Sequence, residues 1–123
     1  MFGLIGQMRA QPGKRDVLVQ ILLRGTQQMP GCLSYIIARD PADPDAIWIT
    51  EVWDDEPSHA ASLSLPSVQA AISEARPHIA GFDSSTRTEP VGGVGIPPAD
   101  EATDPGAGRG PRRLGPSQDD RGR

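Results

Sequence analysis

The sequence predicts an α+β domain of βαββαβ order, the ferredoxin-like split unit, in which one face of an antiparallel sheet carries two helices. Three observations predict it. Apolar runs of strand length alternate with stretches that have helical spacing. The second and third runs are joined by a short connector rich in Asp and Pro, which argues for an antiparallel hairpin. The apolar pattern ends near residue 90 and leaves a polar remainder.

Residues 2–10 form an apolar run bounded by Pro12-Gly13 and read as the first strand. From residue 15 to 29 the period changes. Leu18, Ile21, Leu22, Gly25 and Met29 fall on one helical stripe, with Val17 beside it, and Pro30-Gly31 ends the helix. Residues 32–39 alternate, so that Leu33, Tyr35 and Ile37 point one way and Ser34, Ile36 and Ala38 the other. A turn over residues 40–45 leads into a strand over residues 47–53. Asp54-Asp55-Glu56-Pro57 is a helix start, because aspartate caps free amides, acidic residues suit the dipole and proline is tolerated in the first turn. That helix is expected to break near Leu65-Pro66. It then resumes with Val68, Ala71, Ile72 and Ala75 on one face, and stops between Arg76-Pro77 and Gly81. Residues 82–89 alternate as the last strand, and residues 91–96 form a glycine-rich extension suited to wrapping onto a partner.

The length of 123 residues suggests one domain. Residues 97–123 hold one large aliphatic residue, Leu114, and ten prolines and glycines, so this tail is expected to be disordered. The folded unit is then residues 1–90. A domain of that size buries only about 60–65% of its unfolded surface, which makes it a natural candidate for homodimerisation. Residues 1–90 carry seven Lys and Arg against eleven Asp and Glu, which is not a nucleic-acid footprint. Cys32 is the only cysteine, so there is neither a disulfide framework nor a zinc cluster. The N-terminal run lacks a basic leader and is too short to span a bilayer, which makes the cytoplasm the expected compartment and a membrane partner unexpected.

The chemistry-bearing stretch is Ile47-Trp48-Ile49-Thr50-Glu51-Val52-Trp53, followed by His59. Glu51 sits among Ile and Trp, where an unpaired charge is costly. It reads either as a site carboxylate that orients His59 or binds a hydroxyl, or as half of an ion pair with Arg9 or Arg39. His59, one turn into the second helix, is suited to accept a proton at neutral pH, or else simply packs there. Alternation sends Trp48 and Trp53 to opposite faces, so one faces the helices and the other the open side of the sheet. Tyr35 and Gln7 are further binding candidates, as a core or donating phenol and as a carboxamide.

These residues carry a resemblance. Pro12-Gly13, Met29-Pro30-Gly31-Cys32-Leu33-Ser34-Tyr35, Trp48-Ile49-Thr50-Glu51-Val52-Trp53 and His59-Ala60-Ala61-Ser62 are together similar to the antibiotic biosynthesis monooxygenase (ABM) family, in particular its quinol-monooxygenase-like members. The resemblance spans residues 1–90 and none of the tail. It implies a homodimer whose two sheets pack as a dimeric α/β-barrel, with a pocket between helices and sheet in each subunit. It also implies oxygenation of a small aromatic phenol or quinol by dioxygen with no metal or organic cofactor. His59 and Glu51 are then the catalytic candidates, and Trp53, Gln7 and Tyr35 the substrate-binding ones. The haem-degrading relatives are set aside, because Gln7, Ser62 and Ile72 stand where those proteins place Asn, Trp and His. A non-catalytic dimeric small-molecule holder, and an isomerase or cyclase, remain alternatives on the same scaffold, since fold does not fix function.

Overall fold

The computed structural model describes residues 1–97. The expected disordered tail lies, from residue 98 onward, outside the described residues. The elements are β1 (Phe2–Ala10), α1 (Arg15–Gly25), β2 (Cys32–Arg39), β3 (Ala46–Trp53), α2 (Glu56–Ser62), α3 (Pro66–Ala75), a 3-10 turn (Arg76–His78) and β4 (Ile79–Thr88). The strands form one antiparallel sheet in the order β2-β3-β1-β4. This is the ferredoxin-like α+β arrangement. The sheet of the single chain is open, not closed into a barrel. Residues Met1–Pro90 form one compact unit, and the chain from Val91 onward belongs to a second. In that second unit the Ile96 amide donates to the Gly93 carbonyl at 3.0 Å, which closes a tight turn.

Strand β3 is largely apolar on both faces, yet the register assigns each side chain. On the helix side, Met8, Ala10, Ile47 and Ile49 join Leu18, Ile21 and Leu22 of α1 and Ala71 and Ala75 of α3 in one core cluster. A second cluster holds Phe2, Met29, Trp53 and Val68, with Leu4, Cys32 and Tyr35 against it. Trp53, Leu18 and Ile47 are the largest fully buried side chains.

Three expectations need correction. The first helix ends at Gly25 rather than at residue 29. The Thr26 hydroxyl donates to the Leu22 carbonyl at 2.7 Å, and Met29 reaches the second core cluster from the following loop, so a helical spacing arose from a loop residue. Val17, placed beside the buried stripe, is exposed, and Val19 is buried in its stead. The last strand runs from Ile79 to Thr88 rather than over residues 82–89. The strand starts directly after the 3-10 turn because Ala10 and Arg9 already offer partners to Ile79 and Gly81.

The expected break at Leu65-Pro66 separates α2 from α3, and the proline occupies the first turn of α3. The Asp55 carboxylate caps α2 by accepting the Ser58 amide at 2.8 Å. Gly31, at φ 84°, turns the chain into β2 where a side chain would strike Ser58. Its carbonyl accepts the Asp54 amide at 2.9 Å and so holds the start of α2 against the start of β2.

Helix α1 meets α3 at Gly25, where an added Cβ would collide with the Ala71 Cβ. In an ordinary helix, Gly→Ala stabilises by roughly 0.5–1 kcal/mol. Here the sign is expected to invert. Gly25→Ala forces the helices apart and lowers stability by about 1–3 kcal/mol, the usual cost of overpacking. Ala71→Gly in the same chain relieves part of that loss, and a double-mutant cycle in urea reads the coupling. A stabilised Gly25→Ala single variant would contradict the close approach.

Candidate active site

Side chains directly opposite one another in an antiparallel sheet share a face. The register therefore builds a row across all four strands on the helix side: Arg87, Leu4, Glu51 and Tyr35. The next row holds Ser85, Gly6, Ile49 and Ile37. Over these two rows lies a cavity of about 380 Å³, mostly apolar, lined among others by Leu4, Gly6, Tyr35, Ile49, Glu51 and Phe82. Gly6 contributes no side chain in the middle of β1, which leaves room above the sheet. The volume is at the low end of small-molecule pockets, which run from roughly 300 to 1,000 Å³.

Glu51 is the carboxylate of this cavity. Its side chain is 15% exposed. One oxygen, Oε1, accepts the Trp53 indole N–H at 3.0 Å. The same oxygen lies 3.8 Å from His59 Nε2, within ion-pair range when the imidazole is protonated and too long for a direct hydrogen bond. Among the described residues no hydrogen bond reaches Oε2, so that oxygen is free for a ligand. The arginine partners considered for Glu51 are engaged elsewhere. Arg9 bonds Asp43 and Asp83 at 2.8 Å each, and Arg39 bonds Asp16 at 3.2 Å. Even Arg87, in the same row, is turned to Glu56 at 2.7 Å and lies over the Phe2 ring.

His59 sits behind Glu51 and is not a lining residue of the cavity. Helix α2 seats its ring between Phe2, at 5.2 Å between centroids, and Trp53, at 5.4 Å and edge-on. Trp53 is fully buried and does not line the cavity either. It reaches the site only through its N–H to Glu51. Tyr35 lies opposite Glu51 and lines the cavity. Burial, reinforced by the Glu51 carboxylate, pushes its phenol well above the usual tyrosine range, so Tyr35 stays a neutral donor at any ordinary pH. Gln7 is also at the cavity, but its carboxamide turns to the other face and donates to Asp40 at 3.3 Å. Trp48 is on that open face as well, donating to the same carboxylate at 2.9 Å.

Leu4, Gly6, Phe82 and Ser85 are site residues that the sequence reading did not single out. Gly6 had a usable signal, since a glycine inside an apolar strand marks space or a close approach. Phe82 and Ser85 had none. Strict alternation puts them on opposite faces, and only the irregularity opposite Gln7 and Met8 brings both to the cavity side.

The fold is of the ferredoxin-like class, and the helix-side face of its sheet carries a mostly apolar cavity with a largely buried carboxylate and a neutral phenol. The antibiotic biosynthesis monooxygenase family model matches residues 1–74, and the chain belongs to that family. A crystal structure from Chloroflexus aurantiacus J-10-fl, named as a candidate antibiotic biosynthesis monooxygenase, is 64% identical. It superposes with a TM-score of 0.76, and the match covers 78% of this chain and 98% of that one. A similarly named structure from Deinococcus radiodurans is 29% identical, with a TM-score of 0.62 and coverage of 73% and 92%. One from Nitrosomonas europaea, 14% identical with a TM-score of 0.67 and coverage of 74% and 99%, shares the fold. No curated protein matches the chain.

The indole N–H is what keeps Glu51 satisfied. Trp53→Phe retains most of the ring and leaves Oε1 without its donor, so a loss of about 1–3 kcal/mol is expected. Trp53→Ala also opens a cavity in the second core cluster and should cost about 3–5 kcal/mol. Denaturant unfolding of the two variants separates the terms. A Trp53→Phe variant as stable as the parent would mean that the hydrogen bond contributes nothing.

Proposed function

We propose that the protein is a cofactor-independent monooxygenase that oxidises a small aromatic phenol or quinol with dioxygen. The observation that carries this reading is the free Oε2 of Glu51 at an apolar cavity, with His59 behind the same carboxylate. A phenolic hydroxyl seated on Glu51 would give up its proton to the carboxylate, and His59, 3.8 Å from Oε1, would take that proton once the two side chains close to hydrogen-bond distance. The resulting phenolate is electron-rich enough to reduce dioxygen itself. One oxygen atom enters the ring and the other leaves as water. A quinol thus becomes a hydroxyquinone with no other reductant required. The apolar lining protects the phenolate from bulk water, which strengthens each electrostatic contact inside. Family membership and the 64% identical relative support the same class of activity.

The position of His59 gives weight to a second reading, a holder of small phenols that performs no chemistry. Its imidazole reaches the cavity only through Glu51. Oxygen consumption with a panel of hydroquinones, in the absence of added cofactor, separates the two. Saturable uptake above the spontaneous rate is expected, falling roughly 10²- to 10⁴-fold in Glu51→Gln and also reduced in His59→Ala. Saturable binding of the same compounds without uptake would establish the holder instead.

We also propose that a second copy of the chain covers the open face of the sheet. Ile5, Thr50 and Ile36 form one row across β1, β3 and β2 on that face, and Ile5 and Ile36 are 38% and 56% exposed. An apolar row on a domain of about 90 residues is better buried than wetted. Sedimentation equilibrium is expected to give twice the chain mass, and Ile36→Glu to give a folded monomer. A monomeric parent protein would overturn the proposal.

A further inference from the structure

Tyr35 touches two hollows. On one side it lines the 380 Å³ cavity beside Glu51, and on the other it lines a groove of about 250 Å³ at the edge of the sheet. The groove is formed by Thr26, Gln27 and Met29 of the loop after α1, and by Cys32 and Ser34 of β2. Tyr35 is the one residue that lines both hollows. Among the described residues, no hydrogen bond holds the phenol oxygen. The ring is kept in place by packing against the second core cluster.

We propose that Tyr35 is the specificity-determining wall of the cavity: its ring limits the space available to an aromatic ligand on the β2 side, toward the sheet edge. This deepens the small-phenol reading and rests on it. Glu51 fixes where the hydroxyl of a ligand binds. Tyr35, directly opposite on β2, then limits how far the rings extend toward the sheet edge. The limiting feature is the bulk of the ring. Removing it joins cavity and groove into one longer space that opens beneath the loop of residues 26–32. The phenol hydroxyl has a separate use, as a neutral donor to a ligand oxygen, and its loss should not change the size limit.

The test is calorimetric binding of 1-naphthol and 9-phenanthrol to the full chain and to Tyr35→Phe, Tyr35→Leu and Tyr35→Ala. The native protein is expected to bind 1-naphthol and discriminate against 9-phenanthrol. Tyr35→Ala should raise the affinity ratio of 9-phenanthrol to 1-naphthol at least tenfold, Tyr35→Leu should raise it less, and Tyr35→Phe should leave it unchanged. Should Tyr35→Ala fail to fold, Tyr35→Leu carries the comparison. An unchanged ratio in the folded truncations overturns the proposal, as does an equal shift in Tyr35→Phe. If no variant binds either compound, the wall and the small-phenol reading fall together. If the ratio shifts as expected and no hydroquinone consumes oxygen, the wall stands and only the monooxygenase reading falls.

Discussion

The hydrogen bond from the Trp53 indole to Glu51 is the contact on which the site depends. A carboxylate among Leu4, Tyr35 and Ile49 has lost most of its water, and an unsatisfied charge there would cost several kcal/mol. Trp53 is two residues further along the same strand, so alternation brings it to the same face without any long-range contact. The indole can reach back only because its ring is anchored in the core with Phe2, Met29 and Val68. The core thus positions the donor, the donor holds one oxygen of the carboxylate, and the other oxygen is left for the cavity. A lysine or arginine partner would have satisfied Glu51 more fully and made it inert. The arginines that could have paired with it are held elsewhere, Arg9 between Asp43 and Asp83 and Arg39 against Asp16.

The cavity exists because the two core clusters leave the middle of the sheet uncovered. Helices α1 and α3 pack over Met8, Ile47 and Ile49, and α2 leads the chain over Phe2 and Trp53. Neither fills the space above Gly6. Close approach of α1 to α3 at Gly25 and Ala71 draws the helices toward each other. The β4 side is left open, with Phe82 70% exposed at the edge of the cavity. Arg87 pairs with Glu56, which ties the start of α2 to β4, and it covers Phe2.

Most of this fold can be read in the sequence, because its signals are local. The Asp55 cap, the prolines that open α2 and α3 and the turn at Gly31 are each set by a few neighbouring residues. Alternation places Trp48 and Trp53 on opposite faces, as the structure has them. Which face carries the helices is not readable, because Ala46, Ile47, Ile49, Val52 and Trp53 are all buried and the strand has no polar side to reveal it. The end of α1 was misread for a related reason. Met29 has the spacing of a helical stripe but is buried from a loop, and burial alone does not report backbone geometry. The cavity was hidden for a different reason. Its walls come from β1, β2, β3 and β4 in a register that includes irregularities opposite Met8 and near Cys32. One slipped residue exchanges Phe82 and Ser85 for their neighbours, and no local pattern announces the slip.

The electrostatic character of the cavity narrows what it can hold. Glu51 is its one carboxylate, and no cation among the lining residues balances it. A ligand that brings its own carboxylate or phosphate would meet a like charge in a poorly solvated space, where repulsion is weakly screened. A ligand with a hydroxyl brings a donor to an acceptor. The Tyr35 phenol, kept neutral by burial and by that same carboxylate, can donate to a second oxygen a few ångströms away on the next strand. An acceptor and a neutral donor on adjacent strands, with apolar walls around them, are the complement of the uncharged, oxygen-substituted aromatic proposed as the ligand. The pair also divides the work. In the proposed reaction the acceptor draws the proton from an O–H bond and leaves electron density on the oxygen, and the donor steadies the charge on the oxygen it touches, a contact that strengthens as that charge develops.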